Sequence, residues 1–140
     1  MGGLVLLIGR VVFSFFFIYS GFNHLTKLSG YAQYAAAAGV PAPTVLTALS
    51  GLMLLAGGFS VLLGVKPGWG ALLIALFLVP AAFTVHKFWG IADPMMAANQ
   101  GAHFWKNIAL TGACVMIYAL ATLNPARWPY SLGRSATPTL

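Results

Sequence analysis

Three histidines, seven Lys or Arg and a single acid make up the charge and proton chemistry of this 140-residue chain near neutral pH. Their spacing is uneven. His86-Lys87-Phe88-Trp89 and His103-Phe104-Trp105-Lys106-Asn107 repeat a theme of His, aromatic and Lys, with Asp93 between them. His103 and Asn107 are four positions apart and His103 and Lys106 three, so on a helix they share a face. His24 and Lys27 form a smaller group, and Arg10 stands alone in an apolar run. An imidazole can pass a proton or ligate a metal. A Lys or Arg can polarise a carbonyl or hold an anion, and an Asn amide donates and accepts at once.

Three readings of this set are open. His24, His86 and His103 could ligate a metal or haem, as bundle cores do. The absence of a short His-x-His or HExxH spacing, with Asp93 the only carboxylate, disfavours that cofactor. Alternatively, the set forms a mouth for a small redox or lipid-like molecule, a quinone being the compatible cofactor. Cations and imidazoles would then hydrogen-bond a carbonyl or anion, and Phe and Trp would pack the ring. Finally, Trp and Lys could be an interfacial belt, with the histidines satisfying loop backbone. Arg10 carries its own alternatives: it holds an anionic headgroup, a quinone oxygen or a partner carboxylate, or it snorkels to the near interface. No Ser, His and Asp motif, no second carboxylate and no glycine-rich phosphate loop specifies a reaction. The lone Cys114 cannot make an internal disulfide or a CxxC pair.

The elements that position these residues follow from composition. Charged residues are 6% and hydrophobic residues 60% of the chain, with mean hydropathy +0.89. Soluble domains carry about 25% charged residues, and eight charges could not cover a water-exposed surface of this size. The net charge of +6 reflects missing acids. There is no run of Lys and Arg to follow a phosphate backbone, so a nucleic-acid partner is excluded. The expected partner is the lipid bilayer, with other membrane subunits or a second copy of the chain as further candidates.

Spanning hydrocarbon takes about 20 mostly apolar residues as a helix. Such runs are expected at about 3–22, 44–65, 68–85 and 104–123, followed by a polar tail at 124–140. They are continuous rather than alternating, which argues for helices and against barrel strands. No charge precedes the first run and no A-x-A site follows it, so it is expected to remain as a span. Gly64-Val65-Lys66-Pro67-Gly68 makes a tight turn between the second and third spans. The Ala-rich stretch with Tyr31 and Tyr34, stopped by Gly39 and Pro41, reads as a short interfacial helix between the first and second. The fold expected is an all-α integral membrane four-helix bundle. Small-residue rows, Ala56-Ser60-Gly64 and Ala109-Ala113, are candidate close-packing faces, and Pro80 should kink the third span. An even number of spans puts Lys66, Arg127 and Arg134 on the side of both termini. Lys27, Lys87, Lys106 and Asp93 fall opposite. The positive-inside rule leans to cytoplasmic termini.

Taken in order, Gly9-Arg10, Ser20-Gly21-Phe22, Lys27-Leu28, Gly39-Val40-Pro41-Ala42-Pro43, the Gly51 to Gly64 run with Gly57-Gly58, and the two His-containing motifs around Asp93-Pro94 resemble the DoxX-like family. The resemblance covers about residues 3–123. It implies a small four-helix protein of the bacterial cytoplasmic (inner) membrane, linked to redox processes. The wider superfamily includes a DoxD-type subunit associated with thiosulfate:quinone oxidoreduction, and cargo receptors of the early secretory pathway. One position departs: where the family often has Glu in the second span, this chain has Leu54. Two functions follow as expectations. One is a redox-linked subunit touching a quinone or small sulfur species at the His, Lys and Trp face. There Arg10, Lys27, His86, Asp93, His103 and Lys106 would take part, with His24, Lys87, Trp89 and Asn107 beside them. The other is a non-catalytic scaffold or assembly subunit.

Overall fold

The computed structural model describes residues 2–123, 128 and 130–132. It contains α1 (Gly2–Thr26), α2 (Leu28–Ala37), α3 (Pro43–Leu63), α4 (Pro67–Thr84) and α5 (Pro94–Leu123). All but the short α2 are long and apolar enough to cross a bilayer. The described residues form no strand, and the chain is an all-helical, multi-pass membrane protein. Lipid offers the backbone no hydrogen bonds, so each span must close its own.

Local chemistry sets the ends. Pro occupies the first turns of α3 and α4, where its missing N–H costs nothing. Gly64 ends α3 in the left-handed region at φ 70°, which only Gly adopts without strain. Asp93 caps α5: its Oδ1 accepts the Met96 N–H at 2.7 Å, and Pro94 follows at the first helical position.

That cap corrects the expected boundary of the fourth span. The helix starts at 94, not about 104, because Asp93-Pro94 nucleates it and Ala97, Ala98 and Ala102 are good formers. At 30 residues it is about 45 Å long against a hydrocarbon core of about 30 Å, so its first turns, including Gln100, extend beyond the apolar layer. Likewise α1 runs on to Thr26, four residues past the expected end, and carries His24 within the helix.

The spans pack in series, α1 on α3, α3 on α4 and α4 on α5, with α2 laid against α3. α1 and α5 approach each other less closely than these pairs. Glycines permit the tight crossings. A methyl on Gly57 would lie 2.7 Å from the Gly70 carbonyl oxygen, and one on Gly21 would lie 2.8 Å from that of Gly51. The face in use is Gly51, Leu54, Gly57, Gly58 and Val61; of the expected row, Ser60 packs closely on Gly70 and Gly64 is buried, while Ala56 is exposed. Ala109 is exposed too; α5 buries Phe104, Asn107 and Cys114 instead. Phe17, Leu54, Val61, Ile74, Leu78, Cys114 and Trp128 form the core. Trp128 is 3% exposed, so the described part of the expected polar tail contributes to the interior. The rest of 124–140 lies outside the described residues.

Candidate functional site

The ten expected site residues divide between the two ends of the bundle. Arg10 lies at the end formed by the α3–α4 turn. It is 3% exposed. Its Nε donates to the Val61 carbonyl at 3.1 Å, and its terminal nitrogen donates to those of Leu62 and Tyr130. The guanidinium also sits over the Trp128 ring, 5.4 Å from the centroid. The last four carbonyls of a helix lack intrahelical partners, and here each acquires one. Val65 N–H serves Ser60, Gly64 N–H and Arg10 serve Val61, Arg10 serves Leu62, and Leu132 N–H serves Leu63. A cation is also favoured at that end of the helix dipole. Leu54, where the resemblance expects Glu, is fully buried seven positions before Val61, about 10 Å along the helix. Arg10 is thus tied to backbone at the C-terminal end of α3, two turns beyond the Leu54 level.

At the other end, α1, α3, α4 and α5 line a half-open cavity of about 650 Å³ beneath α2. Five of the expected residues line it: His24, His86, His103, Lys106 and Asn107. Lys27, Lys87, Trp89 and Asp93 do not. Lys27 is exposed at the α1–α2 junction, and Lys87 is exposed just after α4. Asp93 caps α5. Trp89 packs on Phe83, Phe88 and Phe104, with centroids 5.5 to 6.3 Å apart, as an aromatic belt does.

The cavity has two polar walls separated by apolar side chains such as Phe17, Leu78 and Met53. On the α1–α3 wall, His24 Nδ1 meets Ser50 Oγ at 2.7 Å, and Ser50 Oγ donates to the Thr47 carbonyl at 2.7 Å. Asn23 Nδ2 donates to the Tyr19 carbonyl at 2.9 Å. The His24 ring rests against Tyr31, 4.5 Å between centroids, and edge-on to Phe77 at 5.7 Å. On the α4–α5 wall, the rings of His86 and His103 stack 5.0 Å apart at 20°. Lys106 Nζ lies 3.1 Å from His103 Nδ1 and 5.5 Å from the Phe16 ring of α1. Behind the stack, His86 Nδ1 pairs with Gln100 Oε1 at 2.9 Å, and Gln100 Nε2 donates to Tyr34 Oη at 2.8 Å. This bridge fastens α2 to the start of α5.

Asn107 is the most telling member. It is 5% exposed and lines the cavity, no hydrogen bond ties its side-chain amide to another described residue, and its amide atoms are not among those sealed without a partner. Such an amide is open to a bound molecule or water. Among the described residues no three metal-ligating side chains converge.

Sequence reasoning did not single out Asn23, Tyr31, Tyr34, Thr47, Ser50 or Gln100 as site residues. A signal existed for three of them. Asn23, Thr47 and Ser50 are polar residues in apolar spans, where such groups face the interior. Gln100 was hidden by placing the α5 start too late. Both expected interfacial tyrosines, Tyr31 and Tyr34, line the cavity. Pro80 lies inside α4 and also lines it; lacking an N–H, it cannot serve the Leu76 carbonyl one turn earlier.

A family model described as DoxX matches residues 5–87, more than half of the chain and less than the 3–123 over which the resemblance was drawn. That stretch holds α1 to α4 with the α1–α3 wall and His86, and stops short of α5. No curated protein and no solved structure matches the chain.

Proposed function

The chain belongs to the DoxX family, and from that premise we propose that it binds a membrane-dissolved, ring-bearing redox carrier of the quinone type in the cavity beneath α2. The observation that carries this reading is the convergence of Asn107, with no hydrogen bond from its amide to another described residue, Lys106 and the stacked histidines on one largely apolar cavity. A pocket of a few hundred Å³ with apolar walls and few convergent polar groups is the usual form of a small-molecule site. The charge balance narrows the ligand. Lys106 is the one formally charged residue in the lining, and no carboxylate joins it. A cationic ligand would meet repulsion, whereas a carbonyl or developing oxyanion would be stabilised. His103 beside it is the group placed to pass a proton.

The membrane in question is the bacterial inner membrane. Both termini face the cytoplasm, on the Lys66, Arg127 and Arg134 side, which puts the mouth under α2 on the outer face. Titration of the detergent-solubilised protein with a short-chain quinone analogue tests the binding, followed by tryptophan fluorescence. A saturable response weakened about tenfold by Lys106→Ala or His103→Ala is expected. A response that never saturates, or is unchanged in both variants, removes the proposal.

A further inference from the structure

The hydrogen bonds lining the cavity fix which ring nitrogens of its histidines donate and which accept. A Ser hydroxyl has one hydrogen, and Ser50 spends it on the Thr47 carbonyl. Its contact with His24 therefore runs the other way: His24 Nδ1–H donates to Ser50 Oγ. A neutral ring with its proton on Nδ1 keeps only a lone pair on Nε2. Asn23 gives one N–H to the Tyr19 carbonyl and keeps its second N–H and Oδ1. At His24 the α1–α3 wall thus presents an acceptor.

The facing wall has the opposite sign. The Lys106 ammonium donates to His103 Nδ1, which places the neutral ring's proton on Nε2. Lys106 retains further N–H bonds, and the Asn107 amide adds two more. His86 offers an acceptor nitrogen on this side as well, its Nδ1–H being given to Gln100. The ammonium sets the sign of the wall. The other titratable groups around the chamber are Tyr19, Tyr31 and Tyr34, and no carboxylate is among the lining residues.

We infer that the cavity selects the reduced, hydroxyl-bearing form of an aromatic carrier, with one ring O–H donating to His24 Nε2 and an oxygen across the ring accepting from Lys106, His103 and Asn107. This rests on the proposed carrier site and adds its redox-state preference. A quinone offers two acceptors, one of which would face the His24 lone pair. A quinol offers a donor there and a lone pair opposite. Ser50, its hydroxyl taken up by the Thr47 carbonyl and His24, acts as a positioning residue by holding the His24 tautomer. Sites that pair a substrate hydroxyl discriminate sharply against analogues lacking it, because their own polar group is then left unpaired.

The test is anaerobic calorimetry on the solubilised protein with four probes of one ring and side chain: the quinol, its monomethyl ether, its dimethyl ether and the quinone. The quinol and monomethyl ether should bind within about threefold of each other, and the dimethyl ether and quinone at least about tenfold more weakly. Ser50→Ala should shrink that preference to under about threefold, since His24 can then present N–H from Nε2. Equal binding of quinone and quinol, or a preference that survives in Ser50→Ala, overturns the inference and leaves the carrier site standing. Absence of binding by all four removes the carrier site and the inference together.

Discussion

The two ends of this bundle both bury polar side chains, and they use them in opposite ways. At the Arg10 end, a guanidinium directs its donors at backbone carbonyls that the termination of α3 leaves without helical partners. At the histidine end, side chains bond mainly to side chains, and valences remain over on residues that line a cavity: His24 Nε2, the Asn107 amide and the further hydrogens of Lys106. A polar group matched to backbone stabilises the fold. One matched only in part, beside an apolar void, is a place for a ligand. Burial alone does not separate the two, since Arg10 and Asn107 are 3% and 5% exposed. What separates them is where the hydrogen bonds go.

The largest effect should come from breaking the closed end. Arg10→Met keeps an apolar stem but withdraws the donors from the Val61 and Leu62 carbonyls. The orphaned Leu62 carbonyl costs about 1–3 kcal/mol, and the Val61 carbonyl keeps the Gly64 N–H but loses its second bond, so a loss of about 2–3 kcal/mol is expected in denaturant unfolding from detergent. Arg10→Lys should recover less than half of it, because one ammonium cannot reproduce the planar fork that reaches two carbonyls. Variants that remain folded should still bind the cavity probes. A stable Arg10→Met that binds nothing would reverse the roles assigned to the two ends.

How far each end was legible follows from the same contrast. The number of spans, the turn at Gly64 to Gly68 and the short helix before the second span come from run length and from Gly and Pro signals, which act locally. The α5 start was equally local. Asp93-Pro94 is a cap signal, but an apolar-run criterion passes over it because Asn99, Gln100 and His103 interrupt the run after Ala98. The role of Arg10 was not local. Its partners, Val61 and Leu62, are more than 50 positions away, and backbone acceptors leave no side-chain signature. The cavity was legible in part. Spacing put His103, Lys106 and Asn107 on one face, and the helix ends brought His86 to His103. Spacing could not exclude Lys27, Lys87 and Trp89, which share that end of the molecule without facing the chamber.

Between the ends lies the crossing of α3 and α4. Gly57→Val would force side-chain atoms to within about 2.7 Å of the Gly70 carbonyl, where only hydrogen stands now. Overpacking of this kind costs about 1–3 kcal/mol. The crossing joins the two ends, so both stability and probe binding should fall, and thermal unfolding with calorimetry reads the two together. A loss in stability alone would show that the chamber is held by α1 and α5 independently of this contact.

Asn107→Leu sharpens the comparison from the open side. The amide has no partner to lose among the described residues, so removing it should leave stability unchanged or raise it by up to about 1 kcal/mol. Binding of the quinol probe should weaken about tenfold. The opposite pattern, a destabilised protein with intact binding, would make Asn107 a structural residue like Arg10.

The smallest effect belongs to a pair of serines. Ser14 is fully buried on α1, four residues after Arg10, and its Oγ has no hydrogen-bond partner. Ser50 is 9% exposed on α3, and its Oγ both donates to the Thr47 carbonyl and accepts from His24. The two differ in satisfaction rather than in chemistry, so the same substitution separates burial from bonding. Ser14→Ala deletes an unpaired hydroxyl and should stabilise by a few tenths of a kcal/mol, up to about 1. Ser50→Ala deletes a hydroxyl with two partners and should cost about 1 kcal/mol, while freeing the His24 ring to change tautomer. Equal costs at the two serines would mean that Ser14 is paired after all, by a molecule or water held beside Arg10. That end, where Trp128 Nε1 is also buried without a partner among the described residues, would then hold a small molecule or water of its own, and the division between a closed and an open end would have to be redrawn.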